Sequence, residues 1–290
     1  MFDGIACLKQ HLLFHSVGKS RRSFIKYGLA LTAGTVATDA FWIEKHFFEI
    51  NEFHLRAATA QAPSIKLVQL SDLHLQTIDS QIFRLSQKIN ELNPDLLAIT
   101  GDALDKTDNI LLLDDFLRLI NPSIQKVAIL GNWEYWGKID LIQLNNIYKQ
   151  YNCELLINQT KQYSFAGKTI AITGIDDFVG GNSNFGLATE KIQPSDYHVV
   201  LNHCPEYSAH IAAAANEALP IDCILSGHTH GGQITLLGYA PFLPPGSGKF
   251  LKGWYEFDNC RLYVSKGMGT SMIPARFGAR AEIAVFHFPV

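Results

Sequence analysis

No C-x-x-C pair occurs in the chain: its five cysteines, Cys7, Cys153, Cys204, Cys223 and Cys260, are scattered through 290 residues. That spacing excludes a zinc ribbon and a thioredoxin-type redox centre, and small buried thiols are expected. An excess of positive charge is missing too. Lys and Arg total 24 against 27 Asp and Glu, for a formal net charge of −3. The chain lacks the basic footprint that an extended phosphate backbone requires, so no nucleic-acid partner is expected. There is no repeat of solenoid period and no low-complexity segment. The apolar run near the N-terminus, residues 27–37, stops at Asp39, well short of the ~20 residues that span a bilayer comfortably. What the chain does have is material for a full core, with 47% hydrophobic and 18% charged positions, enough for one large domain or two small ones.

The stretch SRRSFIKYGLALTAGTVA, beginning at Ser20, combines a hydroxyl, the pair Arg21-Arg22, the aromatic Phe24 and Lys26 ahead of the short apolar run. It resembles a twin-arginine export signal. The resemblance implies the twin-arginine translocase as a partner and a place at the periplasmic or extracytoplasmic face of a bacterial inner membrane. Export of an already folded protein suits a metalloenzyme, because metal loads onto a preformed site. The next stretch, AFWIEKHFFEI, mixes aromatics with charges. It is expected to be an interfacial helix on a membrane surface or a linker packed on the domain. Ala58-Thr59-Ala60 is a candidate cleavage site. The expected division is therefore residues 1–61 as signal, anchor and linker, and residues 62–290 as the catalytic domain.

From Pro63 onward, short apolar runs alternate with longer mixed segments, the pattern of strands and helices taking turns. Strands are expected at 65–71, 95–100, 126–131, 168–174, 197–203 and 222–228, and then at WYEFD, RLYVSKG and AEIAVFHF; helices are expected at about 79–92 and 108–120. The first three strands end in Asp72, Asp102 and Asn132, at equal intervals the length of one strand-helix-strand unit. Carboxyl ends of parallel strands share one edge, so these side chains are expected to meet in one crevice. Two later strands close on His203 and His228, with His230 two positions on. Carboxylate, imidazole and amide donors without thiolate suit Mn, Fe or Zn in an open site better than a closed structural zinc. Seven donors exceed the need of one ion, which points to two divalent ions sharing a carboxylate.

Taken together, SDLHL, GDALD, GN, LNHCPE and GHTHGGQ resemble the calcineurin-like metallophosphoesterases over residues 65 to 288. The resemblance implies a sandwich of two mixed β-sheets flanked by helices. It implies that Asp72, His74 and His230 bind one metal, that Asn132, His203 and His228 bind the other, and that Asp102 bridges them. The implied activity is hydrolysis of phosphodiester or lipid-linked pyrophosphate bonds by a metal-activated hydroxide, with Asp102 and His203 central to it. GHTHGGQ and the tail YVSKGMGTSMIPARFGARAEI look like the membrane-associated bacterial branch. Some members of that branch act on UDP-diacylglucosamine in lipid A synthesis, which makes that hydrolysis the alternative activity. A catalytically weak metal-binding scaffold is the alternative outside enzymes.

The chain departs from the pattern at Trp133, where many relatives carry a histidine that assists the leaving group. An indole donates one hydrogen bond and cannot act as a general acid. Asp105 is read either as a ligand-shell acid or as a structural residue under Asp102, while His198, His210 and His287 are read as packing or surface residues. The loops DDFVGGNSNFG and GYAPFLPPGSGKF carry Phe178, Phe185, Tyr239, Phe242, Leu243 and Phe250, expected either as an apolar lip or as ordinary loop packing. Arg276 and Arg280 are expected to hold a phosphate or to pair with acids.

Overall fold

The computed structural model describes residues 21–44, 47–56, 63–236 and 238–290. Cys7 and the candidate cleavage site at 58–60 lie outside them. The chain divides into two units after Thr38. In the first, Arg21–Thr38 forms one α-helix with no buried residue. Among the described residues no helix is long and apolar enough to cross a membrane.

The second unit, Asp39–Val290, is built on two six-stranded sheets. One has the order β1 (Phe48–His54), β12 (Ala281–Pro289), β2 (Ser64–Leu70), β3 (Leu96–Thr100), β4 (Gln125–Ile129), β5 (Cys153–Leu155). The other runs β10 (Gly253–Glu256), β11 (Arg261–Val264), β9 (Cys223–Ser226), β8 (Tyr197–Leu201), β7 (Lys168–Gly174), β6 (Gln159–Phe165). Strands β2 to β5 are mutually parallel, as are β7, β8, β9 and β11, while β12 against β2, β6 against β7 and β10 against β11 are antiparallel. The expected sandwich of mixed sheets is the fold observed.

Strand side chains alternate between two destinations, as the period of two requires. Leu67, Ala98, Val127, Val199, Leu225 and Phe286 fill the space between the sheets. Val68, Leu97, Ala128 and Val285 point outward, under helices Ser80–Leu92, Ile110–Arg118 and Leu141–Gln150. On the far side, Val200, Ile224 and Leu262 pack with Ile211 of helix Ser208–Ala214. Strands buried on both faces read as continuous apolar runs, which is why they were legible in sequence. The helix at 80–92 starts where Asp79 accepts hydrogen bonds from the Gln81 and Ile82 amides, and ends at Asn93 in the left-handed conformation.

The domain starts earlier than residue 62. Phe48–His54, expected as interfacial helix or linker, is an edge strand that runs parallel to β12 from Phe48 opposite Ala281 to His54 opposite His287. Its pattern is half-buried, with Phe53 in an aromatic cluster: ring centroids lie 4.8 Å from Tyr263, 5.5 Å from Phe286 and 5.5 Å from Trp254. Ahead of it, Ala40 O accepts the Arg276 amide at 2.9 Å and Glu44 accepts the Ala279 amide at 3.2 Å. Residues 39–44 and 47–56 therefore pack with the sheet and with the loop beside the site. Phe53→Ala is expected to cost about 2–3 kcal/mol, below the full range for a buried Phe because the ring is half-buried. Thermal unfolding should show the midpoint fall by about 5–10 °C; an unchanged midpoint would assign β1 no part in the core.

Candidate metal centre

Every proposed ligand lies just past a strand end or on the loop that follows it, at the carboxyl edge shared by both sheets. Asp72 and His74 follow β2, Asp102 follows β3, Asn132 follows β4, His203 follows β8, and His228 and His230 follow β9. The sheets are tied together here. Gln69, buried between them, donates to Thr100 Oγ1 at 2.9 Å and to Ser226 O at 3.0 Å, and His203 Nδ1 contacts Thr100 O at 2.8 Å.

The donors form two groups. Asp72, His74 and His230 present atoms within 4.8 Å of one another, as do Asp102, His203 and His228, and all six residues are buried. His74 Nε2 and His230 Nε2 face each other at 3.0 Å. Asn132 Oδ1 joins the second group 2.8 Å from His228 Nδ1. Asp102 reaches both, with Oδ2 3.2 Å from His203 Nε2 and 3.8 Å from His74 Nε2. All seven residues singled out in the sequence are thus brought to one place.

The backbone under these side chains is strained. Asp72, His74, Asp102, His228 and His230 all have positive φ, between 44° and 71°. For residues with a Cβ this costs about 1 kcal/mol or more each and concentrates at functional sites. Hydrogen bonds hold the conformation: Asp72 N to Gly101 O at 3.1 Å, His74 N to Asp102 O at 3.0 Å, and Gly269 N to Asp72 O at 2.7 Å. Gly131 has an extended backbone, and its role is close approach: a Cβ there would collide with Asp102 Oδ1. A Cβ on Gly101 would lie 2.5 Å from His203 Nδ1.

Glu134 carried no signal in the sequence, yet it organises the centre. Its buried carboxylate accepts the amides of Ala103 at 2.7 Å, Gly131 at 2.8 Å, Asp102 at 3.1 Å and Leu104 at 3.2 Å, clamping the loops of Asp102 and Asn132 together. Burial, then the charge of Asp102, pushes its pKa up to about 7. Asp105 takes the structural role: it hydrogen-bonds His74 Nδ1 and so fixes that ring's tautomer and direction. His198 bonds Thr173 and Pro220 O, His210 stacks on Tyr207, and His287 bonds Ser64 and Glu52; none joins the centre.

Electrostatics favour cations at the centre. Burial disfavours a charged imidazole at all four histidines. At His203 the Asp102 charge outweighs it and holds the pKa well above the ordinary value, and at His74 the bond from Asp105 has the same sense. At His228 burial and His203 hold it below, and at His230 burial and His74 do so. His203 Nε2 is buried and, although close to Asp102, has no aligned hydrogen-bond partner. An orphaned ring nitrogen beside carboxylates, with oxygen and nitrogen donors converging, is what a divalent cation would satisfy. The residues present fit two such ions.

An apolar cavity of about 480 Å³ opens onto these donors, lined by Asp102, Asn132, His228 and His230 together with Trp133, Trp136, Phe242, Met272 and Ile273. The Trp133 amide donates to Asp102 Oδ1 at 2.9 Å, while its indole meets the edge of His74 at 6.1 Å and Trp136 at 5.6 Å. Its place after the ligand loop is thus a wall. Of the expected lip, Phe178, Tyr239 and Phe242 are exposed and Leu243 is half-buried, but Phe185 and Phe250 pack into the core outside the second sheet. Trp136, Met272 and Ile273 supply apolar surface that the sequence reading missed. Arg276 is not free for phosphate: fully buried, it donates to the carbonyls of Lys266, Gly269 and Ala279. Arg280 is exposed. The four described cysteines are free and buried, as expected.

Two sheets whose carboxyl edges hold paired oxygen-and-nitrogen donor groups define a metal-dependent phosphoester hydrolase. The model of the calcineurin-like phosphoesterase family matches residues 65–232, and the chain belongs to that family. It is 32% identical over 286 residues to the uncharacterized metallophosphoesterase YkuE of Bacillus subtilis, covering 92% of this chain and 96% of that protein. YkoQ of the same organism, also an uncharacterized metallophosphoesterase, is 30% identical, with 77% and 83% covered. The UDP-2,3-diacylglucosamine pyrophosphatase LpxG of Chlamydia muridarum is 25% identical, with 85% and 92% covered.

Glu134→Ala is expected to weaken manganese binding by about 10- to 100-fold, the usual cost of losing a partner behind the ligands. Calorimetric titration of the metal-free protein measures it, and parental affinity would remove Glu134 from the support of the site. The raised His203 pKa sets a pH dependence as well: below it the imidazole holds a proton that a cation must displace. Affinity should therefore rise as pH increases above the ordinary imidazole value of 6.5, with protons released on binding. Titration in buffers of different ionisation enthalpy reads that release, and its absence would contradict the assignment.

Proposed function

We propose that the protein hydrolyses phosphoanhydride or phosphodiester bonds, preferentially lipid-linked pyrophosphates, at two divalent cations drawn from Mn, Fe and Zn. Asp72, His74 and His230 would hold one, Asn132, His203 and His228 the other, and Asp102 both. When bound, the pair supplies Lewis acidity at phosphorus and makes a water-derived nucleophile available near neutral pH. The observation that carries the reading is the reach of Asp102 toward both donor groups, 3.2 Å to His203 and 3.8 Å to His74.

The chain's own residues restrict the leaving group. Among the described residues lining the cavity, the titratable ones are Asp102, His228 and His230, each already assigned as a ligand. Trp133 follows Asn132, where the family resemblance would put a proton donor, and its indole has no titratable proton to give. A substrate whose leaving group needs no proton, such as a phosphate or nucleoside phosphate, suits this site better than one that leaves as an alkoxide. Apolar walls beside the donors support a lipid-linked substrate met at a membrane surface. Arg21 and Arg22, which open the helix ahead of its apolar run, support delivery by the twin-arginine translocase to the outer face of the inner membrane. The similarity to LpxG favours a second reading, hydrolysis of UDP-diacylglucosamine, which would require the domain to face the cytoplasm.

Bis(4-nitrophenyl) phosphate with manganese is the test substrate. Asp102→Ala and His203→Ala should lower its turnover by more than the ~10- to 100-fold typical of a residue behind the ligands. Rates equal to the parent in either variant would refute the site. Fractionation separates the two substrate readings, since a cytoplasmic domain supports the nucleotide-linked lipid and an exported one excludes it.

A further inference from the structure

Gln233 closes the motif GHTHGGQ, yet the donor groups do not use it. Its backbone sits at φ 50°, ψ −48°, a sparsely populated region for a residue with a side chain. Surroundings that hold it there are visible on every side. Its amide donates to His230 O at 2.9 Å and its carbonyl accepts the Phe277 amide at 2.8 Å. Both ends of the side-chain amide are engaged as well: Nε2 donates to Ile273 O at 2.7 Å and Oε1 accepts the Ser271 amide at 3.0 Å. One residue thus couples the turn carrying His230 to the 271–273 turn. The remaining backbone bonds of that second turn are internal, Ile273 N to Ser271 O at 2.6 Å and Ala275 N to Ile273 O at 2.8 Å.

What Gln233 holds is apolar and wet. Met272 is 87% exposed, with a positive φ of 58°, and Ile273 is 51% exposed. Both line the same cavity as Asp102, Asn132, His228 and His230. Exposed apolar side chains at the mouth of a polar centre ask for an occupant with both characters. A phosphoester with a hydrophobic substituent has them: the phosphoryl group belongs with the buried donors and the substituent lies against the turn. A bilayer alone would cover Met272 without reaching the buried ligands.

We infer that Gln233 is a specificity-determining positioning residue: its side-chain amide fixes the 271–273 turn as the wall that receives the hydrophobic substituent of the phosphoester substrate. The inference rests on the phosphoester reading above and adds which residues select the substrate's apolar part. Gln233 lines the same cavity, but its side-chain amide is directed to the 271–273 turn and it belongs to neither donor group. Removing its amide frees the wall from the ligand turn, so the loss falls on binding of the substituent and not on the step at phosphorus.

The test compares methyl 4-nitrophenyl phosphate with dodecyl 4-nitrophenyl phosphate below its micellar concentration, using the manganese-loaded full chain. Both release 4-nitrophenolate as water adds at phosphorus, so only the substituent differs. In the parent, KM for the dodecyl ester should be at least about tenfold below that for the methyl ester, because several methylenes leave water. In Gln233→Ala that advantage should shrink to about threefold or less, while the ratio of the two kcat values keeps its parental value. Ile273→Ser alters a half-exposed position and should shrink the same KM advantage, which keeps the test decisive if Gln233→Ala fails to fold. Equal KM values for the two esters in the parent, or a parental KM ratio in folded Gln233→Ala or in Ile273→Ser, would overturn the inference alone. A parent that cleaves neither ester overturns the phosphoester reading and this inference with it.

Discussion

A buried carboxylate surrounded by imidazoles, and not fully satisfied by any of them, is the constraint around which the domain is organised. Asp102 accepts the Trp133 amide with one oxygen and turns the other toward His203 and His74. It is nearly inaccessible, so its charge depends on partners inside the protein. Burial raises its pKa, but the neighbouring imidazoles, His203 first, outweigh burial and keep it below the usual carboxylate range. Metal-free, the cluster favours an ionised Asp102 beside a protonated His203 ring; bound cations would supply charge of the same sign there. The same electrostatic demand explains why the donors are oxygen and nitrogen and why all of them are buried.

Holding such a cluster needs backbone conformations that local sequence disfavours. Five of the seven donors carry positive φ without being glycine. The offsetting interactions come from elsewhere in the chain. Glu134 ties four amides of two loops, Asp105 fixes His74, and Arg276 ties the carbonyls of the 266–279 loop while lying 3.5 Å from His230 Nδ1. These residues do for the ligands what a second layer of partners does in metal sites generally: they set tautomer, direction and rigidity. That Arg276 is spent in this way removes it from substrate binding and leaves recognition of the phosphoryl group to the centre itself.

The opposite side of the cavity follows a different logic. Trp133 lies one residue after a ligand and shares its loop, but its indole packs between the edge of His74 and Trp136 and lines the cavity. A position able to supply a titratable group supplies apolar surface instead. Together with Phe242, Met272 and Ile273 it makes a site polar at its floor and apolar at its mouth. On the proposed reading, this asymmetry links the leaving group to the hydrophobic substituent, since both would meet the same wall.

The seven donors were legible in sequence because each follows an apolar run that ends abruptly, and strand ends of a parallel sheet share an edge whatever the packing details. Most of the nine strands expected from 65 onward were visible because double burial makes their apolar character continuous; Gly253–Glu256 is the exception, with no buried residue. Local sequence could not reveal residues whose meaning lies in a distant partner. Phe48–His54 reads as a mixed aromatic and charged stretch until β12 pairs with it across more than two hundred residues. Glu134 is one acid among many until its carboxylate meets the amides of two loops, and Phe185 and Phe250 differ from Phe242 only in which way their loops fold. Strand-end chemistry is a local property and the sequence alone determined it; edge pairing, the clamp under the ligands and the choice of which aromatics face the cavity are long-range contacts, and only the tertiary structure decided them.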